Sequence, residues 1–275
     1  MGLRMKLKEL LYVLGARPRT REYGSAVREF TLPRDGPVRY AQWLHPLETP
    51  KTVEQSAVDA LRGFLRPGDV AVDIGAHSGD TALPMALAVG PSGCVLAFEP
   101  NPHVFKVLEE NARLNEGKAR IVPHRFAVTP EDGKMVFEYS DPGFCNGGFH
   151  EDISVWKHGH AFKLEVEGVR LEPFLARHHP DLVDRIRYVK VDAEGFDRSI
   201  LESIRGLIAR TRPYLRAEVF KKLDLEQRRH LVRSVRSMGY RLERMVSDAD
   251  YHGEEVHEGN VGSWPHFDVF CTPVA

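Results

Sequence analysis

Short, almost wholly apolar runs alternate along this chain with stretches whose apolar residues recur at helical spacing. Residues 70–73, 95–98, 120–128, 186–192 and 214–219 read as strands, because they are brief, apolar and rich in β-branched side chains. Between and after them lie helical patterns. Ala57, Val58, Leu61, Phe64 and Leu65 mark one, preceded by Thr52-Val53-Glu54-Gln55, which has the spacing of a capping box. Residues 81–89 form a second, and Asn101-Pro102 supplies an N-cap and a first-turn proline for a third, through Leu114. Ile200, Leu201, Ile204, Leu207 and Ile208 share one helical face, and further helical patterns cover 173–178 and 225–238. Strands at 240–246 and 267–272 close the chain. Strand and helix in alternation imply a mostly parallel sheet, whose ligands bind beyond the carboxyl ends of the strands.

Two regions break the alternation. Val27, Phe30 and Leu32 are separated from Val38 and Tyr40 by Pro33-Arg34-Asp35-Gly36-Pro37, the pattern of a hairpin. Residues 135–139 and 162–166 read as two inserted strands, with a long loop of turn formers and aromatics at 141–150 between them. A loop of that length suggests a lid over a substrate. The organisation expected is an N-terminal extension over 1–51, comprising a basic helix and the hairpin. An α/β domain over 52–275 follows, with the insertion near 129–170.

Composition narrows the picture. The 275 residues carry a net charge of −1, which argues against nucleic acid as a partner. Three scattered cysteines without metal-type spacing suit a reduced, cytoplasmic setting. Arg4, Lys6 and Lys8 precede a short apolar run at 10–14 that reads as an amphipathic helix, too short to span a bilayer.

The chemistry starts at residues 70–80, a strand, a glycine loop and a helix start. This geometry brings backbone amides close to a ligand. The glycines are spaced Gly75-x-x-x-Gly79, not Gly-x-Gly-x-x-Gly, and Asp73 and Asp80 flank them. Acids at that mouth repel a pyrophosphate and attract ammonium and sulfonium groups, which favours S-adenosylmethionine over a dinucleotide. Glu99 closes the next strand, where an acid accepts hydrogen bonds from ribose hydroxyls. A nicotinamide-dependent oxidoreductase and a non-catalytic binding domain on the same framework are the alternatives.

A second stretch, Lys190-Val191-Asp192-Ala193-Glu194-Gly195-Phe196, lies at the end of an apolar strand. With residues 70–80, Phe98-Glu99-Pro100-Asn101 and Glu218, it resembles the FkbM family of S-adenosylmethionine-dependent methyltransferases. The resemblance runs from about Thr52 to the C-terminus. His77 and Asp80 depart from it, since the family commonly has asparagine at the first position and an aromatic or small residue at the second. The resemblance implies a Rossmann-like class I methyltransferase fold, with a seven-stranded sheet whose last strand is antiparallel. It also implies O-methylation of a sugar, glycan or natural product. The cofactor residues expected are Asp73, Gly75, Ala76, His77, Gly79, Glu99, Asn101 and Asp192, with adenine near Phe126 and Ala127.

Lys190 and Glu218 interrupt buried strands, which is costly unless each is paired or functional. Lys190 and Asp192 point to the same face by strand alternation. Lys190, Asp192, Glu194 and Glu218 are therefore the catalytic candidates, expected to converge beside the reacting methyl. The same carboxylates could take a hard cation such as Mg²⁺, although Lys190 already offers a countercharge. His150, His158 and His160, in and after the long loop, are a minor source of a base.

Overall fold

The computed structural model describes residues 20–139, 141, 143–145, 147–148 and 162–274. In chain order the strands are β1 (Ser25–Leu32), β2 (Gly36–Trp43), β3 (Val70–Ile74), β4 (Cys94–Phe98), β5 (Ile121–His124), β6 (Ala127–Val128) and β7 (Gly133–Tyr139). They continue as β8 (Gly147–Gly148), β9 (Phe162–Val169), β10 (Ile186–Val191), β11 (Tyr214–Val219), β12 (Tyr240–Arg244) and β13 (Phe267–Pro273). Seven build the main sheet in the order β12-β13-β11-β10-β3-β4-β5. The pairs from β11 to β5 are parallel, and β13 runs antiparallel to both β11 and β12. The α/β class and the antiparallel last strand are as the sequence pattern and the resemblance imply.

Alternation along the central strands builds two cores. Val70, Val72 and Ile74 face a cluster with Leu171, Ile200, Leu207 and Leu231 from the helices on one side. Ala71, Val95 and Ala97 face the other side, where Val58, Leu83, Met85, Leu32 and Tyr40 pack. The helix Ala82–Val89 is buried at every position, so it needs no polar face.

The hairpin β1–β2 forms as its turn residues predict and clamps onto the helix Pro102–Leu114. Buried Asn111 drives this docking: its Oδ1 accepts from Ala41 N at 2.6 Å, and its Nδ2 donates to Ala41 O and Ser78 O. Asn101 caps that helix by accepting from His103 N, with Pro102 at its start.

Four local expectations change. The capping box at Thr52 is not made, and the helix starts at Gln55 without a side-chain cap. Gln55 instead accepts from Arg34 N and Asp35 N, so the hairpin turn outcompetes the local bond. The long helix expected after Gly195 is two, Asp197–Ser203 and Arg205–Thr211, because Glu172 Oε1 takes Leu207 N from outside. The strand expected over 120–128 breaks at Arg125, where Phe126 N turns back to His124 O. Its second half, β6, pairs with β9, so the insertion is a four-stranded sheet of order β6-β9-β7-β8.

The loop at 141–150 starts fastened to the body. Asp141 accepts from Gly143 N and Cys145 N and pairs with His45 Nε2 at 2.9 Å. Phe144 stacks on His103, and its carbonyl accepts from Asn101 Nδ2. The basic N-terminal helix and His150, His158 and His160 lie outside the described residues. Among the described residues no helix is long and apolar enough to cross a membrane.

Candidate active site

The carboxyl ends of β3, β4 and β10 open into a cavity of about 390 Å³, within the range of small-molecule sites. Gly75 makes the approach of β3 to β10 possible. Its φ is +75°, and a Cβ there would lie 2.0 Å from Asp192 O. Asp192 N in turn donates to Ile74 O, locking the two strand ends together. Gly79, also at positive φ, gives close packing instead, since a Cβ would meet Leu108 at 2.9 Å.

Of the residues singled out in the sequence, Gly75, His77, Glu99, Asn101, Phe126, Ala127, Lys190, Asp192 and Glu194 line the cavity. Glu99 is buried at its wall, with Oε2 accepting from His77 N at 2.9 Å and Oε1 from Asn101 N at 2.8 Å. Burial pushes its carboxyl above the ordinary glutamate range. Asn101 spends its side chain on the helix cap and on Phe144. His77 and Glu194 hold φ of +49° and +52°, a conformation costly for residues with a Cβ and concentrated at functional sites.

Four candidates do not line the cavity. Ala76 and Gly79 pack behind the loop. Asp73 is fully buried, because strand alternation turns it under the loop and not over it. Its register partner on β10 is Lys190, whose Nζ lies 3.0 Å from Asp73 Oδ1, while Thr81 Oγ1 donates to Oδ2. Asp73 thus holds Lys190 and Thr81, which do reach the cavity. Lys190 also lies 3.5 Å from Asp192 Oδ2. Burial would pull its proton affinity down, but Asp73 and then Asp192 hold the ammonium well above its ordinary range.

Glu218 is placed apart from the other catalytic candidates. It sits one strand further out, beside Asp268 in register and 3.6 Å from His266 Nε2, with Oε2 buried and without a hydrogen bond. Burial, then Asp192 and Asp197, push it up to about 9, so it is a neutral acid at neutral pH. The sequence pattern overlooked Asp197, whose buried carboxylate accepts from Ala193 N, Gly195 N and Glu218 N and so shapes the turn that carries Asp192 and Glu194. Glu194 also faces the cavity, and partial burial and then Asp192 push its carboxyl above the ordinary glutamate range.

The connector at 44–51 also went unread, since it has no motif. It brings Glu48 and Lys51 to the cavity beside Asp80 and His77. Carboxylates therefore outnumber ammonium groups around the cavity, which fits a cofactor carrying cations and no phosphate. Among the described residues no three His, Cys, Asp or Glu side chains come together to hold a metal ion, and the Mg²⁺ option gains no donor set.

A seven-stranded sheet with one antiparallel strand, a glycine loop after β3 and an acid closing β4 defines a Rossmann-like class I methyltransferase. The methyltransferase FkbM domain matches residues 73–242, more than half of the chain, and the chain belongs to the FkbM methyltransferase family. Methyltransferase sdnD of Sordaria araneosa is 27% identical over 154 residues, covering 48% of this chain and 59% of that protein. The 31-O-demethyl-FK506 methyltransferase FkbM of Streptomyces tacrolimicus is 36% identical over 93 residues, covering 34% and 35%. The chain thus spans less than two thirds of either relative. The crystal structure of methyltransferase FkbM from Methylobacillus flagellatus overlays with a TM-score of 0.43 and 14% identity, over 74% of this chain and 44% of that one. Family membership sets aside the nicotinamide-dependent alternative.

Proposed function

We propose that the chain is an S-adenosylmethionine-dependent methyltransferase that moves a methyl group to a hydroxyl oxygen of a sugar, glycan or natural product. When bound, the cofactor supplies an electrophilic methyl on a positively charged sulfur. Glu99 would receive the ribose hydroxyls, the Gly75–His77 backbone the amino-acid side, and Phe126 and Ala127 the adenine. The observation that carries the reading is the placement of Asp192 and Glu194 on one turn at the mouth of β10, within the cavity that Glu99 walls.

A hydroxyl is a poor nucleophile until its proton has somewhere to go. Glu194, with its raised proton affinity, takes that proton on its carboxylate. Asp192, half-exposed and steered by Lys190, accepts a hydrogen bond from the acceptor and orients its oxygen. Apolar side chains around the same cavity, among them Met135, Phe137, Phe196 and Ile200, exclude water and favour a largely apolar acceptor. The name of the Streptomyces relative, a methyltransferase of an O-demethyl compound, supports an oxygen acceptor.

The test is a screen of hydroxylated acceptors with isotope-labelled cofactor, run with and without chelator. Glu194→Gln and Asp192→Asn should lower kcat about a hundredfold to ten-thousandfold, with affinity for S-adenosylhomocysteine little changed. Near-normal turnover in both variants would overturn the assignment. Absence of turnover on every acceptor, with cofactor product still bound, would favour a non-catalytic binding domain.

A further inference from the structure

The connector between the hairpin and the first helix lies outside the segment matched by the family model, yet it contributes charges to the cavity. Lys51 Nζ sits 2.9 Å from Asp80 Oδ2 and 3.5 Å from Glu48 Oε1. Glu48 is the unusual member. Its side chain is only 7% exposed, and its Oε1 makes no hydrogen bond. A buried carboxylate oxygen that has the Lys51 ammonium 3.5 Å away but makes no hydrogen bond calls for an explanation. Its other oxygen is 3.7 Å from His77 Nε2, on the glycine loop itself.

The connector is held firmly. Lys51 N donates to Gln42 Oε1 at 2.6 Å, Glu48 N to His45 O, and Leu47 N to His45 Nδ1. His45 in turn pairs with Asp141 on the loop beyond β7. The charges are therefore fixed before any ligand arrives, which lowers the ordering cost of binding.

We propose that residues 44–51 form a strap that reads the amino-acid end of the cofactor, Lys51 binding its carboxylate while Glu48 and Asp80 bind its ammonium. This rests on the cofactor reading above. A zwitterion inserts one charge of each sign, so it leaves the net charge of the cluster unchanged. Lys51 exchanges Asp80 for the ligand carboxylate, Asp80 turns to the ligand ammonium, and Glu48 Oε1 gains a hydrogen bond beyond its long contact with Lys51. Burial would lower the Lys51 proton affinity, but Asp80 and Glu48 keep it raised, so the lysine stays charged for this role.

Calorimetry on the full chain with two ligands tests the strap. S-adenosylhomocysteine carries the amino acid, and 5′-methylthioadenosine keeps the adenosine and sulfur without it. Lys51→Met and Glu48→Gln should each weaken S-adenosylhomocysteine roughly tenfold to a hundredfold, and change 5′-methylthioadenosine less than about twofold. The unaltered protein also serves: decarboxylated S-adenosylmethionine should bind more weakly than the intact cofactor, and Lys51→Met should erase that difference. The strap is refuted if the variants weaken both ligands alike, or neither, while the unaltered protein binds S-adenosylhomocysteine. Failure of the unaltered protein to bind either adenosine ligand would refute the cofactor reading itself.

Discussion

Removing the Lys190 ammonium is the sharpest perturbation of the fold beneath the site. Lys190 and Asp73 are 2% and 0% exposed, and their atoms meet at 3.0 Å across β10 and β3. In Lys190→Met, Asp73 keeps the Thr81 hydroxyl as a donor but loses the ammonium opposite it and becomes a buried, uncompensated charge. Breaking one partner of such a pair costs about 3–5 kcal/mol. At about 2–4 °C per kcal/mol for a domain of this size, the melting temperature should fall by about 6–20 °C. The double variant Asp73→Leu/Lys190→Met removes both charges and should recover most of that loss, since an apolar pair of similar volume is often neutral. Urea unfolding of the two single variants and the double variant measures the coupling. A loss below about 1 kcal/mol in Lys190→Met, or a double variant as unstable as the sum of the singles, would refute the pairing argument.

Two further outcomes follow from the same geometry. Glu99→Gln should weaken S-adenosylhomocysteine about tenfold to a hundredfold by calorimetry, the scale of a charge-assisted hydrogen bond; unchanged affinity would remove Glu99 from the ribose site. Glu218 has its folded-state proton affinity raised from the ordinary glutamate value to about 9. The unfolded chain therefore releases that proton first, and stability should fall as pH rises between roughly 4.5 and 9, by at most about 1.4 kcal/mol per pH unit. Glu218→Gln should flatten that slope in denaturant unfolding and leave turnover intact; a steep loss of kcat would return Glu218 to the catalytic set.

Much of this protein was legible in the chain because the relevant physics is local. Apolar runs and helical spacing specify strands and helices. A Pro-Arg-Asp-Gly-Pro cluster specifies a hairpin turn. Gly75 and Gly79 announce positive φ where the backbone must turn, and both adopt it. Glu99 and Asp192 face the cavity because residues ending parallel strands must lie at its rim. The cost of burying a lone lysine foretold a partner for Lys190.

Which partner it would be was a matter of register between strands far apart in the chain. Only the pairing of β10 with β3 sets Lys190 opposite Asp73. The order of strands likewise decides that Glu218, alike in sequence pattern, ends one strand further out and stays protonated. Gln55 leaves its local pattern for the hairpin turn, and Ala127 and Val128 leave the strand before them for a second sheet. Glu48 and Lys51 carry no motif, because their meaning comes from the docking of the hairpin through Asn111, which lays the connector over the glycine loop. Period and propensity act within a few residues along the chain, whereas charge pairing and cavity walls depend on contacts through space, and those the tertiary structure alone decides.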